Sequence, residues 1–278
     1  MLRALCISVS FLVALPVQAQ NSVPLRADTR QMLDAIGMDE SIDIMVEAGM
    51  NDARGLEADL FPGRGGASWR AVVDRLYTQE VFRGTFDAAF PEDRLSPEDA
   101  AAITAFFSSD LGQRIVEGEL TAWRAITDPE VESAANEAYF QRLTAGDPRL
   151  NVLDRFTAAN GFVDYNVMGA LNSNVAFLRG MSDGGAYEQE VSEDMILSQA
   201  WQQEPEIRDS TLLWLNSYQL MAYSALTDAE MEQYIAFSES EAGQAYTAVL
   251  FTGYDAVFTA MSYRLGLAAA TFMTGEPL

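Results

Sequence analysis

Two stretches of this chain share one local plan, and that plan admits few folds. Leu95–Gln113 (LSPEDAAAITAFFSSDLGQ) and Leu226–Gln244 (LTDAEMEQYIAFSESEAGQ) align without a gap at an offset of 131 residues. Leu95, Ala105, Phe106, Ser109, Gly112 and Gln113 match Leu226, Ala236, Phe237, Ser240, Gly243 and Gln244. Ser96 and Thr227 stand where a hydroxyl accepts a free backbone N–H at a helix start. Asp99 and Glu230 follow three residues later, the acidic position of a capping box. Phe106 and Phe237 fall about three turns in, given 3.6 residues per turn, and are expected to be the large buried side chain of each helix. Ser109 and Ser240 are expected to end that helix by capping the next one. Gly112 and Gly243 then lie in the first turn of the second helix, where a missing side chain permits close packing. Each stretch reads as a helix, a capped kink and a second helix, with the shared residues serving architecture.

The remainder reads as helix too. Asp128-Pro129-Glu130 repeats the cap, proline and acidic-first-turn signal. Trp69, Val72, Val73, Leu76 and Tyr77 share one helical face, and Tyr246, Leu250, Tyr254, Val257, Met261, Leu265 and Ala268 keep three-and-four spacing. No set of alternating strands bounded by turns stands out. Breaks fall at Phe61–Ala67, at Ala145-Gly146-Asp147-Pro148 and at Ser182-Asp183-Gly184-Gly185. The expectation is an all-α chain of about ten helices. Its parts would be a leader at 1–19, one helical unit at 20–147 and a related unit at 148–278.

Composition removes whole classes of chemistry. All 17 basic residues are arginine, there is no histidine, and the single cysteine is Cys6. Without histidine there is no Ser-His-Asp or Cys-His catalysis, no histidine-held zinc and no proximal-histidine haem. Without lysine there is no Schiff base and no phosphate-loop lysine. The sequence calls for no cofactor and no metal. A net charge of -24, from 41 acidic groups, opposes binding to nucleic acid or to anionic lipid. The acidic groups are spread along both halves and form no tail, as a solubilising surface would be.

Residues 1–19 (MLRALCISVSFLVALPVQA) have the pattern of a secretory signal peptide. Arg3 supplies the positive end, an apolar run follows, and Val17 and Ala19 occupy the small-residue positions before Gln20. Cleavage there would leave a chain without cysteine, and so without disulfides. Near the other end, Ala248–Phe272 is almost wholly apolar but contains Asp255 and Arg264. Charges near a bilayer centre cost roughly 2.5 to 3.5 kcal/mol each. A buried core helix is therefore expected there, with no membrane span after leader removal.

The leader and the sequence Leu-(Ser/Thr)-x-x-(Glu/Asp), Phe, Ser, Gly-Gln together resemble the domain-of-unknown-function 2059 family of Gram-negative envelope proteins. The resemblance covers some forty residues and places the motif twice. It implies small all-helical periplasmic domains and brings no catalytic residue. Two positions depart from the family pattern. A double aromatic is met by Phe106-Phe107 but not by Phe237-Ser238, and the basic residue after Gly-Gln is Arg114 in the first copy and Ala245 in the second.

The functional expectation is a periplasmic binding or assembly module without catalytic activity. Its partner would be another envelope protein or a small apolar ligand. The alternative is a carboxylate-dependent enzyme that cleaves envelope glycans. Glu239-Ser240 resembles the Glu-Ser start of helical lytic transglycosylases, although Glu239 aligns with Ser108 and only the serine recurs. Asp183, Glu188, Glu190, Glu193 and Asp194 cluster near a glycine turn without the spacing of a calcium loop, and read as a solvated loop. Arg70, Arg75, Arg114, Arg124 and Arg142 are expected to pair with nearby carboxylates. Trp69, Trp123, Trp201 and Trp214 are expected to fill the core.

Overall fold

The computed structural model describes residues 24–187 and 191–275. The leader, Cys6, Glu188 and Glu190 lie outside the described residues. Within them all regular structure is helical. The first half contains α1 (Ala27–Ala35), α2 (Met38–Leu60), α3 (Gly66–Leu76) and α4 (Gln79–Ala89). A short 3-10 turn at Glu92–Arg94 leads to α5 (Pro97–Phe107), α6 (Asp110–Ile126) and α7 (Pro129–Ala145). The second half contains α8 (Arg149–Asn160), α9 (Phe162–Asp183) and α10 (Glu193–Trp201). It continues with α11 (Glu204–Ala222), α12 (Asp228–Ser238) and α13 (Glu241–Thr274).

Thirteen α-helices are described where about ten were expected. The difference comes from very short connections, which periodicity runs through. Gly37 joins α1 to α2 at φ 69°, and Gly161 joins α8 to α9 at φ 63°. Only glycine takes that left-handed geometry without steric cost, so the chain turns within one or two residues.

The helix starts follow the local chemistry of the sequence. Ser96, Asp128 and Thr227 each accept a backbone N–H with the side chain, and Thr227 and Glu230 complete a reciprocal capping box. Each such cap is worth about 1 kcal/mol.

The two serine kinks have the same hydrogen bonds. Ser109 Oγ accepts from the Gly112 N–H at 3.1 Å and donates to the Phe106 carbonyl at 2.6 Å. Ser240 Oγ accepts from the Gly243 N–H at 3.1 Å and donates to the Phe237 carbonyl at 2.6 Å. The side-chain amide of Gln113 donates to the Phe107 carbonyl at 2.6 Å, and that of Gln244 to the Ser238 carbonyl at 2.6 Å. A methyl group at Gly112 would overlap the Phe106 carbonyl oxygen, and one at Gly243 would overlap that of Phe237. Both glycines therefore let a new helix begin against the end of the previous one.

Phe106 and Phe237 correct one expectation. They are half-buried, and the fully buried aromatic of α5 is Phe107. Instead of entering separate cores, Phe106 and Phe237 stack on each other, with ring centroids 4.0 Å apart and planes 6° apart. Leu95 and Leu226, which precede the two caps, are both buried.

One hydrophobic core runs from Leu25 to Phe272 and draws on both halves. The long helix α13 extends about 51 Å at 1.5 Å per residue. It packs along α9 and also against α3, α4 and α5. At the α9 crossing Gly180 faces the Tyr263 carbonyl and Gly266 faces that of Phe177, which brings the two backbones close together. Helix α13 is long and apolar enough to cross a membrane by length and composition alone. Here it buries Val249, Leu250, Val257, Met261 and Leu265 among the other helices. Of the tryptophans, Trp69 is fully buried and Trp123 and Trp214 are half-buried, but Trp201 is 54% exposed at the end of α10. The buried face of α10 is set by Ile196 and Ala200, and Trp201, one residue further round the helix, points off it.

Candidate functional site

A cavity of about 690 Å³ opens between α6, α9, α11 and α13. Each helix contributes a three-and-four face to it. Val116, Glu119, Leu120 and Trp123 come from α6, and Trp214, Leu215, Tyr218 and Gln219 from α11. Helix α9 supplies Phe162, Tyr165, Asn166, Gly169 and Ser173, and α13 supplies Tyr246, Leu250, Tyr254, Asp255 and Phe258. The walls are mainly aromatic and aliphatic. Tyr165 stacks on Phe251 at 4.6 Å, and Trp214 on Tyr218 at 5.0 Å. Tyr165, Met168 and Phe258 at its mouth are exposed, so the cavity is open to solvent on one side. A largely apolar cleft with a few placed polar groups is what a small-molecule site requires.

The main polar feature is Glu119. It lies on the same face of α6 as Val116, Leu120 and Trp123, so the helix packing carries a carboxylate inward. Tyr223 donates its hydroxyl to Glu119 Oε1 at 2.7 Å, and Tyr234 donates to the same oxygen at 3.0 Å. Tyr218 donates to the Glu119 backbone carbonyl at 3.2 Å. No hydrogen bond among the described residues reaches Oε2. Burial raises the Glu119 carboxyl to about 6, and the two phenols, which favour its charged form, offset only part of that rise. Burial, followed by the nearby Glu119 charge, holds Tyr218, Tyr223, Tyr234 and Tyr246 well above the ordinary phenol value. Tyr218, Tyr223 and Tyr234 serve as hydrogen-bond donors, and Tyr246 is part of the wall.

Asp255 also lines the cavity, and Asn172 donates to its Oδ1 at 2.9 Å. No arginine is found among the described residues that line it. Deeper in, Gln219 and Thr157 are hydrogen-bonded to each other, and Thr247 donates to Asn160 at 3.0 Å. These pairs satisfy polar groups that would otherwise be costly to bury.

The residues singled out in the sequence fall around this site more than in it. The kink residues Ser96, Ser109, Gly112, Gln113, Thr227, Ser240, Gly243 and Gln244 cap and join helices. The kinks begin α6 and α13, which carry Glu119 and Asp255 to one cavity. Arg114 donates to Glu230 at 2.5 Å and to the Ala225 carbonyl at 2.9 Å, so it fastens the first kink to the start of α12. That contact, with the capping box, pulls the Glu230 carboxyl down to about 2. Ala245, at the matching position of α13, has no side chain that could do this. Glu239 is an exposed C-cap residue of α12 and does not line the cavity. Asp183 accepts from Tyr263, and Glu193 pairs with Arg179. Among the described residues no group of three or more carboxylates is placed to hold a metal ion.

Sequence reasoning misses Glu119 and its tyrosines. The available signal was a carboxylate inside the apolar stripe of α6, at the position where α13 carries Leu250. The tyrosines that hold it come from α11, α12 and the loop between them, which no local pattern connects to α6.

No protein-family model, curated protein or solved structure matches this chain.

Proposed function

We propose that this chain is a periplasmic binding protein without catalytic activity, whose cavity takes a small, largely apolar ligand. The observation that carries this reading is the aromatic cavity of about 690 Å³ with the tyrosine-held Glu119 in its wall. Such a volume suits a ligand of drug-like size. The same reading treats 20–147 and 148–278 as related helical units. In its support stand the matching serine kinks, the left-handed glycines Gly37 and Gly161, and the stack of Phe106 on Phe237 where the units meet. On this view α13 is a core helix and not a membrane span, and the periplasmic location rests on the leader pattern of 1–19. The likeness to the domain-of-unknown-function 2059 family agrees with this placement.

The test is titration with N-phenylnaphthylamine, a neutral apolar fluorophore whose emission rises in dry cavities. Saturable binding to the mature protein is expected. Substituting Gly169→Phe should remove it, because a side chain at Gly169 meets nothing nearer than Asp255 Oδ1 at 3.9 Å and grows into the cavity. No saturable binding, or equal binding by the filled variant, counts against the reading.

One observation favours the alternative of a glycan-cleaving enzyme. Glu119 and Asp255 line one cavity, and a carboxyl raised to about 6 suits a general acid. Clearing of peptidoglycan in a zymogram by the wild type, lost in Glu119→Gln, is the required result. An inactive wild type ends that alternative.

A further inference from the structure

The charge of the cavity wall narrows the class of ligand. Its two ionisable acids, Glu119 and Asp255, are unopposed by any arginine among the described lining residues. Glu119 Oε1 is occupied by two phenol donors, whereas Oε2 takes no hydrogen bond from the described residues. Both tyrosines are donors already used. They cannot turn to offer an acceptor-seeking ligand a free O–H without releasing a buried carboxylate, which is costly. The site thus presents an acceptor, and its described lining residues supply no positive charge to meet an anion. Around it stand Tyr165, Trp214, Tyr218, Tyr246, Tyr254 and Phe258. Aromatic rings attract cations through their negative faces, most strongly where water is excluded. Carboxylate and aromatic walls together form the chemistry that selects a cation on an apolar body.

On the reading of the cavity as a ligand site, we propose that its ligand is a small organic monocation, an amine or quaternary ammonium on an apolar body, with Glu119 as the charged anchor. The apolar body lies along the rings of α9 and α13. The cationic head meets Glu119 Oε2. An anionic ligand of the same shape is repelled by Glu119 and Asp255 and finds no arginine.

Three probes with one body separate the possibilities: phenylbutylamine, phenylbutanol and phenylbutyrate. Binding is read at pH 8 from the emission of Trp123 and Trp214, which line the cavity, and by displacement of N-phenylnaphthylamine. The amine is expected to bind at least tenfold more tightly than the alcohol, and the butyrate more weakly than both. Glu119→Gln keeps an acceptor for the tyrosines and should reduce the amine to the level of the alcohol. Asp255→Asn should leave most of the preference in place. If N-phenylnaphthylamine binds and the amine does no better than the alcohol, the cation assignment fails while the cavity reading survives. If neither the fluorophore nor any probe binds, both fail. A preference that persists in Glu119→Gln, or disappears only in Asp255→Asn, overturns Glu119 as the anchor. The comparison of head groups on the wild type decides the ligand class even if a variant does not fold.

Discussion

The Tyr223 hydroxyl lies 2.7 Å from a carboxylate that begins more than a hundred residues earlier in the chain, on Glu119. Tyr223 is 3% exposed, and the contact joins the end of α11 to the middle of α6 across the centre of the molecule. Such a bond holds a charge where an apolar side chain would be easier to pack. Its consequences for stability and binding can be measured.

The first consequence is a pH dependence. In the unfolded chain Glu119 titrates near 4.5, and in the folded chain near 6. The folded state holds the proton more tightly, so this group's contribution is complete below 4.5 and is lost as pH rises through 6. The difference corresponds to about 2 kcal/mol, because each tenfold change in proton affinity is worth about 1.4 kcal/mol. Denaturant unfolding of the wild type and of Glu119→Gln at about pH 4 and about pH 7.5 isolates it. The variant should gain about 2 kcal/mol on the wild type between the two pH values. A constant difference would show that Glu119 is not perturbed.

The kink glycines give a prediction of opposite signs. Gly112→Ala and Gly243→Ala push a methyl group onto a backbone carbonyl, and each should destabilise by about 2 to 3 kcal/mol. Gly55→Ala and Gly84→Ala sit within α2 and α4 with open space around them and should stabilise by about 0.5 to 1 kcal/mol. Thermal unfolding of the four variants checks the contrast. Four changes of the same sign would refute the packing role.

The Phe106–Phe237 stack should appear as coupling. In a double-mutant cycle of Phe106→Leu and Phe237→Leu, an interaction of about 0.5 to 1.5 kcal/mol is expected. Additive losses would place the two rings in independent environments and separate the two kinks.

Arg114→Ala should move the Glu230 titration upward from about 2, since the guanidinium is the largest cause of the depression. The remaining capping box with Thr227 should keep it below the ordinary carboxylate value. Side-chain carboxyl NMR reports it directly. An unmoved titration would mean that Arg114 does not hold Glu230 in solution.

What the sequence reveals is local, and what it hides is long-range. Ser96, Ser109, Thr227 and Ser240 announce themselves because a cap is chemistry within three residues. The serine kink can be read twice because its hydrogen bonds close within six residues. Phe106 defies its expected environment because its partner, Phe237, lies 131 residues away in the chain. Periodicity reports which face of a helix is apolar and not what that face meets. Tyr246, Leu250 and Tyr254 read as a core stripe and belong to it, yet they also line the cavity, which periodicity does not report. Residue type alone puts Trp201 in the core, but the face of α10 that packs is the one carrying Ile196 and Ala200. Glu119 resists recognition for a further reason. Among 41 acidic residues only its neighbours mark it, and those neighbours arrive from α11 and α12.

The central claim is that a ligand sits in the cavity between α6, α9, α11 and α13. Exposed apolar residues elsewhere, among them Phe140 and Leu143 on α7 and Met195 and Trp201 on α10, offer competing surfaces. Photolabelling with a diazirine-bearing phenylbutylamine, followed by peptide mass spectrometry, distinguishes them. Saturable adducts on Tyr165, Met168 or Phe258, suppressed by excess unlabelled phenylbutylamine, are expected. Adducts on Phe140, Leu143, Met195 or Trp201 that excess ligand does not suppress would contradict the claim.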